Sequence, residues 1–289
     1  MVRAVRSRRL IGSLAAALLL GGVVQGRPAR ERVTAGGPGP APPFVAATFP
    51  VATEVLFEAR GESGRRAVTL EGIGTVLFGR YVLTVAHAAT WKRFEGELRS
   101  KRSPGASSGR ARKVKETTRL LLPEGPVPLR PLARDDRADV ALFMLPRDTE
   151  APPFPCAVGD SDAIRLGGPI VLVERDETAG PIVRPAAVAA LRGTGRSATL
   201  SPPEQTFLVS LGLVSGESGS PLIRSSGGSC ELVGLAQGTY VGARQLSWGI
   251  RIHEAMEALW RSGSPPPGAF FRRVCGIAAR PESLSFCRE

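Results

Sequence analysis

The sequence holds two histidines, His87 and His253, and four cysteines without a single C-x-x-C spacing. The ligand sets of the common zinc sites are therefore missing, and no metal or cofactor is expected. Methionine occurs three times and aromatic residues make up 6% of the chain, whereas 34 Gly and 25 Pro punctuate its 289 residues. Such punctuation favours many turns between short strands over a helical bundle. Acid is in deficit, with 26 Asp and Glu against 38 Lys and Arg, a net charge of +12. The excess lies on no basic helix and on no basic strand interleaved with aromatics, so specific nucleic-acid binding is not expected. With 43% hydrophobic residues, the chain can bury a core, which excludes wholesale disorder.

The main apolar run, Leu10 to Val24, covers about 15 residues, short of the roughly 20 that span a bilayer. Arg3, Arg6, Arg8 and Arg9 precede it, and Val24-Gln25-Gly26 ends it on a small residue. These are the three parts of a secretory signal, expected at residues 1–26, so the protein is expected to be secreted or periplasmic, with no membrane span once the signal is removed. Removal takes away four Arg and no acid, bringing the net charge from +12 to +8. In an oxidising compartment Cys156, Cys230, Cys275 and Cys287 read as disulfides, for which three connectivities exist. Cys275 with Cys287 would close a short loop around Pro281.

Residues 27–45 read as a flexible Pro/Gly-rich leader. Short apolar runs follow, among them Tyr81-Val82-Leu83-Thr84-Val85 and Val140-Ala141-Leu142-Phe143-Met144-Leu145. Ile252, Met256, Leu259 and Trp260 share one face of a helix from about residue 252 to 261. The domain is expected over 46–262, with a Cys-containing tail at 263–289. Ten Lys and Arg interrupt the strand pattern between residues 92 and 119. A solvated loop is the plain reading, and a polyanion contact is the functional one.

Three segments carry chemistry. Leu83-Thr84-Val85-Ala86-His87-Ala88 runs a strand into a histidine, and Asp139-Val140-Ala141-Leu142 opens a strand with an acid. Gly216-Glu217-Ser218-Gly219-Ser220-Pro221-Leu222 surrounds a serine with glycines. A hydroxyl becomes a nucleophile when an imidazole takes its proton, and that imidazole needs a carboxylate to fix its tautomer. Gly61-Glu62-Ser63-Gly64 repeats the tetrapeptide but precedes His87 and lacks the Ser-Pro-Leu continuation, so Ser63 reads as a turn residue. Asp135 and Asp136 compete with Asp139 for the carboxylate, but they lie in a polar turn, whereas Asp139 abuts the apolar strand. His253, at the start of the helix, reads as structural.

In these three segments the sequence resembles the chymotrypsin-like (trypsin-like) serine peptidases, in particular bacterial proteins with a trypsin-like peptidase domain. The family's T/S-A-A-H is similar to Thr84 to His87, its D-I-A-L to Asp139 to Leu142, and its G-D-S-G-G-P to Gly216 to Pro221. The resemblance implies an all-β fold of two six-stranded antiparallel β-barrels with a C-terminal helix. It implies a serine endopeptidase acting on protein or peptide substrates, with Ser218 as nucleophile, His87 as general acid/base and Asp139 orienting His87. The N–H groups of Gly216 and Ser218 would form the oxyanion hole, and Gly212, Gln237, Gly238 and Thr239 would line the substrate site. Gly212 stands where enzymes that cleave after Lys or Arg carry an acid, so a neutral or apolar P1 residue is expected. Cys156 would pair with Cys230, because the family places the strand after the nucleophile hairpin beside the linker between the barrels. Glu217 replaces the family's Asp, which in zymogen-type members receives an ammonium freed by cleavage. No Ile-Val-Gly-Gly start is present, so that switch is not implied. The alternative is an idle homologue serving as a secreted binding protein.

Overall fold

The computed structural model describes residues 41–59, 65–89, 111–176, 180–193, 201–226, 228–240, 245–262 and 267–288. The expected signal, most of the leader, the Gly61 to Gly64 repeat and most of the basic segment fall outside them. Among the described residues no helix is long and apolar enough to cross a membrane.

Seven strands build the first sheet: β1 (Thr48–Ala59), β2 (Arg65–Leu77), β3 (Tyr81–Val85), β4 (Ala111–Leu122), β5 (Gly125–Pro128), β6 (Arg130–Asp135) and β7 (Val140–Met144). They lie in the order β5-β4-β1-β2-β3-β7-β6, every pairing antiparallel. Period-two patterning explains β1, where Val51, Thr53, Val55 and Phe57 are buried and the residues between them are half-exposed. The second sheet holds β8 (Ala157–Val158), β9 (Pro169–Asp176), β10 (Gly180–Ala190), β11 (Thr206–Val209), β12 (Pro221–Ser226), β13 (Ser229–Thr239) and β14 (Ser247–Arg251). Its order is β12-β9-β10-β11-β14-β13-β8, and an added β12–β13 pairing closes six of these strands into a ring. The architecture is the chymotrypsin-like one, with one closed six-stranded barrel and one half-barrel. Each sheet also carries a seventh strand, the short β5 in the first and β8, parallel to β13, in the second.

Arg175 of β9 ties the second sheet to the start of the first. Its guanidinium donates to the carbonyls of Thr48 and Val45 and lies 4.8 Å from the centroid of the Phe49 ring. Burial pushes its pKa down from the ordinary arginine value. The leader expected to run flexibly through residue 45 packs its last residues instead: Pro43–Ala47 is a 3-10 turn that buries Phe44 and Val45.

Among the described residues, one short α-helix and two longer ones complete the fold. Helix α1 (Ala86–Ala89) carries His87, and α2 (Ile252–Ser262) buries Ile252, Met256 and Leu259. The tail is more than a turn, since Gly268–Ile277 forms α3 and buries Phe270, Phe271 and Val274. Phe270 meets Tyr81 at 5.0 Å, and Phe271 meets Trp260 and Phe286 at 5.1 and 4.7 Å. Truncating such a buried ring to Ala costs about 3–5 kcal/mol. The Glu257 carboxylate accepts both the N–H and the hydroxyl of Ser285, and the Ala279 N–H donates to Val158 at 2.8 Å. Cys156 is joined to Cys230, and Cys275 to Cys287. The tail thus folds back onto β8 of the second sheet while its disulfide stays local.

Candidate active site

Strands β3 and β7 run antiparallel with Val85 opposite Val140. That register carries the residue two beyond β3 and the residue one before β7 to the same end of the sheet. His87 and Asp139 meet there. The His87 N–H donates to Asp139 Oδ1 at 2.9 Å, and the ring Nδ1 lies 2.8 Å from Oδ2. The Ala86 N–H also donates to the Asp139 carbonyl at 3.0 Å. Asp139 is fully buried and takes a left-handed backbone, φ 59°, a conformation that Asp tolerates better than most side chains. Its rivals are engaged elsewhere. Asp135 Oδ1 accepts the N–H groups of Arg137 and Ala138, and Asp136 pairs with Arg134. His253 is buried beside Asp160 at 3.8 Å, apart from this arrangement.

Ser218 sits in the irregular segment between β11 and β12. Its carbonyl accepts the Ile73 N–H at 2.8 Å, and the next N–H, from Gly219, donates to Ala236 at 2.7 Å. Gly219 has φ 94°, and a Cβ there would meet the Ile73 oxygen at 2.2 Å. Gly72 is a second contact point, since a Cβ would lie 2.6 Å from Ala88 Cβ and 2.7 Å from the Ser218 oxygen. Two glycines therefore let the serine segment press against the strands that lead to His87. The Ser218 hydroxyl donates to the Gln237 carbonyl at 3.2 Å.

Gln237 links the parts. Its Nε2 donates to Asp139 Oδ2 at 2.9 Å and to Ser201 Oγ at 2.8 Å, and Ser201 Oγ donates to the Ala138 carbonyl at 2.9 Å. The sequence marks Gln237 as part of the substrate strand, but its side chain is buried and turned to the acid. Thr239, at the exposed end of the strand, donates to the Leu213 carbonyl at 2.7 Å, while the Leu213 N–H donates to Ser247 Oγ at 3.0 Å. Gly212 and the end of β13 are thereby held to one neighbourhood. Gly238 lies between Gln237 and Thr239, with open space where a Cβ would project. Gly216 takes φ 94°.

Beneath this segment lies a charged cluster that sequence reading missed. Arg184 Nη1 bonds Glu174 Oε2 at 2.9 Å and Glu217 Oε1 at 3.0 Å, and Nη2 donates to the Gly212 carbonyl at 2.8 Å. Glu217 Oε2 accepts the Val214 N–H at 2.7 Å. Burial and a hydrogen bond with Glu174 push the Glu217 pKa up to about 7, against the pull of the Val214 N–H and the Arg184 charge. The only signal in the sequence was Arg184, a lone charge inside the otherwise uncharged β10, since Glu174 merely opens the charged run Glu174-Arg175-Asp176 that ends β9. Nothing in it says which partner each would find.

A model of the trypsin-like peptidase domain matches residues 72–235, from the glycine beside Ala88 to Leu235, two residues before Gln237 on β13. A search of curated proteins returned no match. Among solved structures, the active form of the Rv3671c protease from M. tuberculosis is similar with a TM-score of 0.52 at 18% identity, over 77% of this chain and 84% of that one. The HtrA-type protease AlgW, solved with a decapeptide, gives a TM-score of 0.51 at 16% identity, over 74% of this chain and 63% of AlgW. At these identities the structures speak to the fold, whereas the family match covers more than half of the sequence. The chain belongs to the trypsin-like peptidase domain family of serine peptidases.

Proposed function

We propose that this serine peptidase is an exported endopeptidase that cleaves peptide bonds through an acyl-enzyme. Ser218 is the nucleophile, His87 the general acid/base, and Asp139 the group that orients His87. The observation that carries this reading is the buried Asp139 carboxylate, which holds His87 by both its N–H and its ring nitrogen while Gln237 links the same carboxylate to the Ser218 hydroxyl. With Nδ1 bound to Asp139, Nε2 is left to take the Ser218 proton as Oγ attacks the scissile carbonyl carbon. The charge that develops on the carbonyl oxygen meets the N–H groups of Gly216 and Ser218. The C–N bond breaks as His87 returns its proton to the leaving amine, and water deacylates Ser218 by the same proton path.

The substrate is a protein or peptide with a neutral or apolar P1 residue at Gly212, Gly238 and Thr239. The charged group on the Gly212 carbonyl is the Arg184 guanidinium, which disfavours a cationic P1 side chain. Export rests on the signal at residues 1–26 and fits two disulfides, which persist in oxidising compartments. The leader, the domain over 46–262 and the polyanion contact at 92–119 belong to the same reading. Fluorophosphonate labelling tests it. The wild type and Ser63→Ala should label, and Ser218→Ala should not, with turnover lower by several orders of magnitude. Labelling that survives Ser218→Ala refutes the nucleophile, and an unlabelled wild type supports the idle binding homologue.

A further inference from the structure

We propose that Arg184 is the positioning residue that holds the oxyanion-hole segment in its working shape, standing in for a terminal ammonium freed by cleavage. The inference rests on the peptidase reading of Ser218 and names what shapes that site. The segment from Gly212 to Ser218 forms no helix or strand; inside it one backbone bond, from the Glu217 N–H to the Val214 carbonyl at 3.3 Å, closes a turn over Gly216, and where that turn sits depends on what holds the segment from outside. Arg184 contacts it at both ends. One guanidinium nitrogen donates to the Gly212 carbonyl at 2.8 Å, and the other binds Glu217, between the two N–H groups in sequence, at 3.0 Å. The remaining Glu217 oxygen accepts the Val214 N–H at 2.7 Å, which closes the segment across its middle.

The anchor itself is rigid. Arg184 lies on β10, paired with Leu172 of β9, and Glu174 on β9 receives the same Nη1 at 2.9 Å. Both strands belong to the closed ring. Arginine suits this position because its planar fork meets a carbonyl and carboxylates at once, which a lysine ammonium cannot do with the same geometry. Buried ion pairs add little to stability on balance, so the effect of this one falls mainly on geometry. The acid before the nucleophile has a cation built into the barrel wall, and shaping the site requires no new N-terminus.

The test uses the full chain as wild type, Arg184→Met, Arg184→Lys and wild type with an N-terminal extension. Steady-state hydrolysis of a peptide amide should show Arg184→Met losing about 100-fold or more in kcat, the scale of a lost oxyanion donor, with KM changed by less than about threefold. Arg184→Lys should recover part of the loss, and the extended chain should match the wild type. Amide hydrogen exchange over 212–218 supplies a readout without turnover, and protection there should fall in Arg184→Met while β9 and β10 keep theirs. A wild-type kcat in Arg184→Met, unchanged protection, or an extended chain that is inactive until cleaved overturns the proposal. Should Arg184→Met not fold, Arg184→Lys decides, and a wild-type kcat there is equally fatal. An inactive wild type whose 212–218 protection still depends on Arg184 would refute the peptidase reading alone.

Discussion

Replacing Gln237 with Met keeps the length of the side chain and removes its two donors. In the wild type Nε2 serves a carboxylate oxygen at 2.9 Å and a hydroxyl at 2.8 Å. The first bond, to a charged and fully buried acceptor, is worth about 1.5–3 kcal/mol and the second about 1 kcal/mol. One gain offsets part of the loss, since Gln237 Oε1 is buried without a hydrogen-bond partner and methionine removes that polar atom. The net expectation is a loss of about 1–3 kcal/mol in unfolding free energy, read from urea denaturation by two probes. Asp139 keeps its two bonds to His87 but loses the contact that fixes the far side of Oδ2. Turnover should therefore fall by about 10- to 100-fold, which corresponds to about 1.4–2.7 kcal/mol in the barrier. Ser201→Ala, which leaves the Gln237–Asp139 bond in place, should cost less on both scales. If Gln237→Met changed stability by less than about 0.5 kcal/mol and left kcat at the wild-type value, the support assigned to this side chain would be wrong.

Two further outcomes follow from charge and from chain connectivity. Because Glu217 holds its proton to about pH 7 in the folded state, against an ordinary 4.5, the folded chain carries more protons than the unfolded one between those values. The Glu217 contribution to stability is then fully present below pH 4.5 and is lost as pH rises through about 7. Unfolding free energies across that range should show this slope, and Glu217→Gln should remove it; an unchanged slope would refute the assignment. Cys156 and Cys230 are 74 residues apart and Cys275 and Cys287 are 12 apart. In the chain-entropy picture losing the first bridge costs about 4.5 kcal/mol and losing the second about 3 kcal/mol. Urea unfolding of the two Cys-to-Ser pairs should rank them in that order, and the reverse order would refute it.

Much of the site is legible in the sequence because its three segments each carry a local requirement. A strand must run into His87, an acid must open β7, and glycines must surround Ser218. Local patterns stop there. That Asp139 meets His87 follows from the Val85–Val140 register, which only the folded sheet provides. Gln237 lies where the resemblance expects substrate contacts, yet a register irregularity between Ala236 and Gly238 accompanies a side chain turned inward to the acid. Arg184 was hidden for a different reason: its partners Glu174, Gly212 and Glu217 lie 10, 28 and 33 positions away, and no periodicity connects them. The two sheets follow from short alternating runs, whereas α3 escaped notice because its ten residues come straight after three prolines and resemble a turn.

Phe270 gives the fold a constraint in time as well as in space. Its ring rests on Tyr81 at 5.0 Å, and Tyr81 opens the strand that delivers His87. The two residues are separated by most of the peptidase domain, so this contact forms late however early β3 pairs with its neighbours. A nascent chain that had already made His87, Asp139 and Ser218 would still present Tyr81, Phe78 and the Trp260 ring of α2 to solvent. Synthesis of the chemical groups and completion of the body that aligns them are therefore separate events, and the docking of α3 sets when the second occurs.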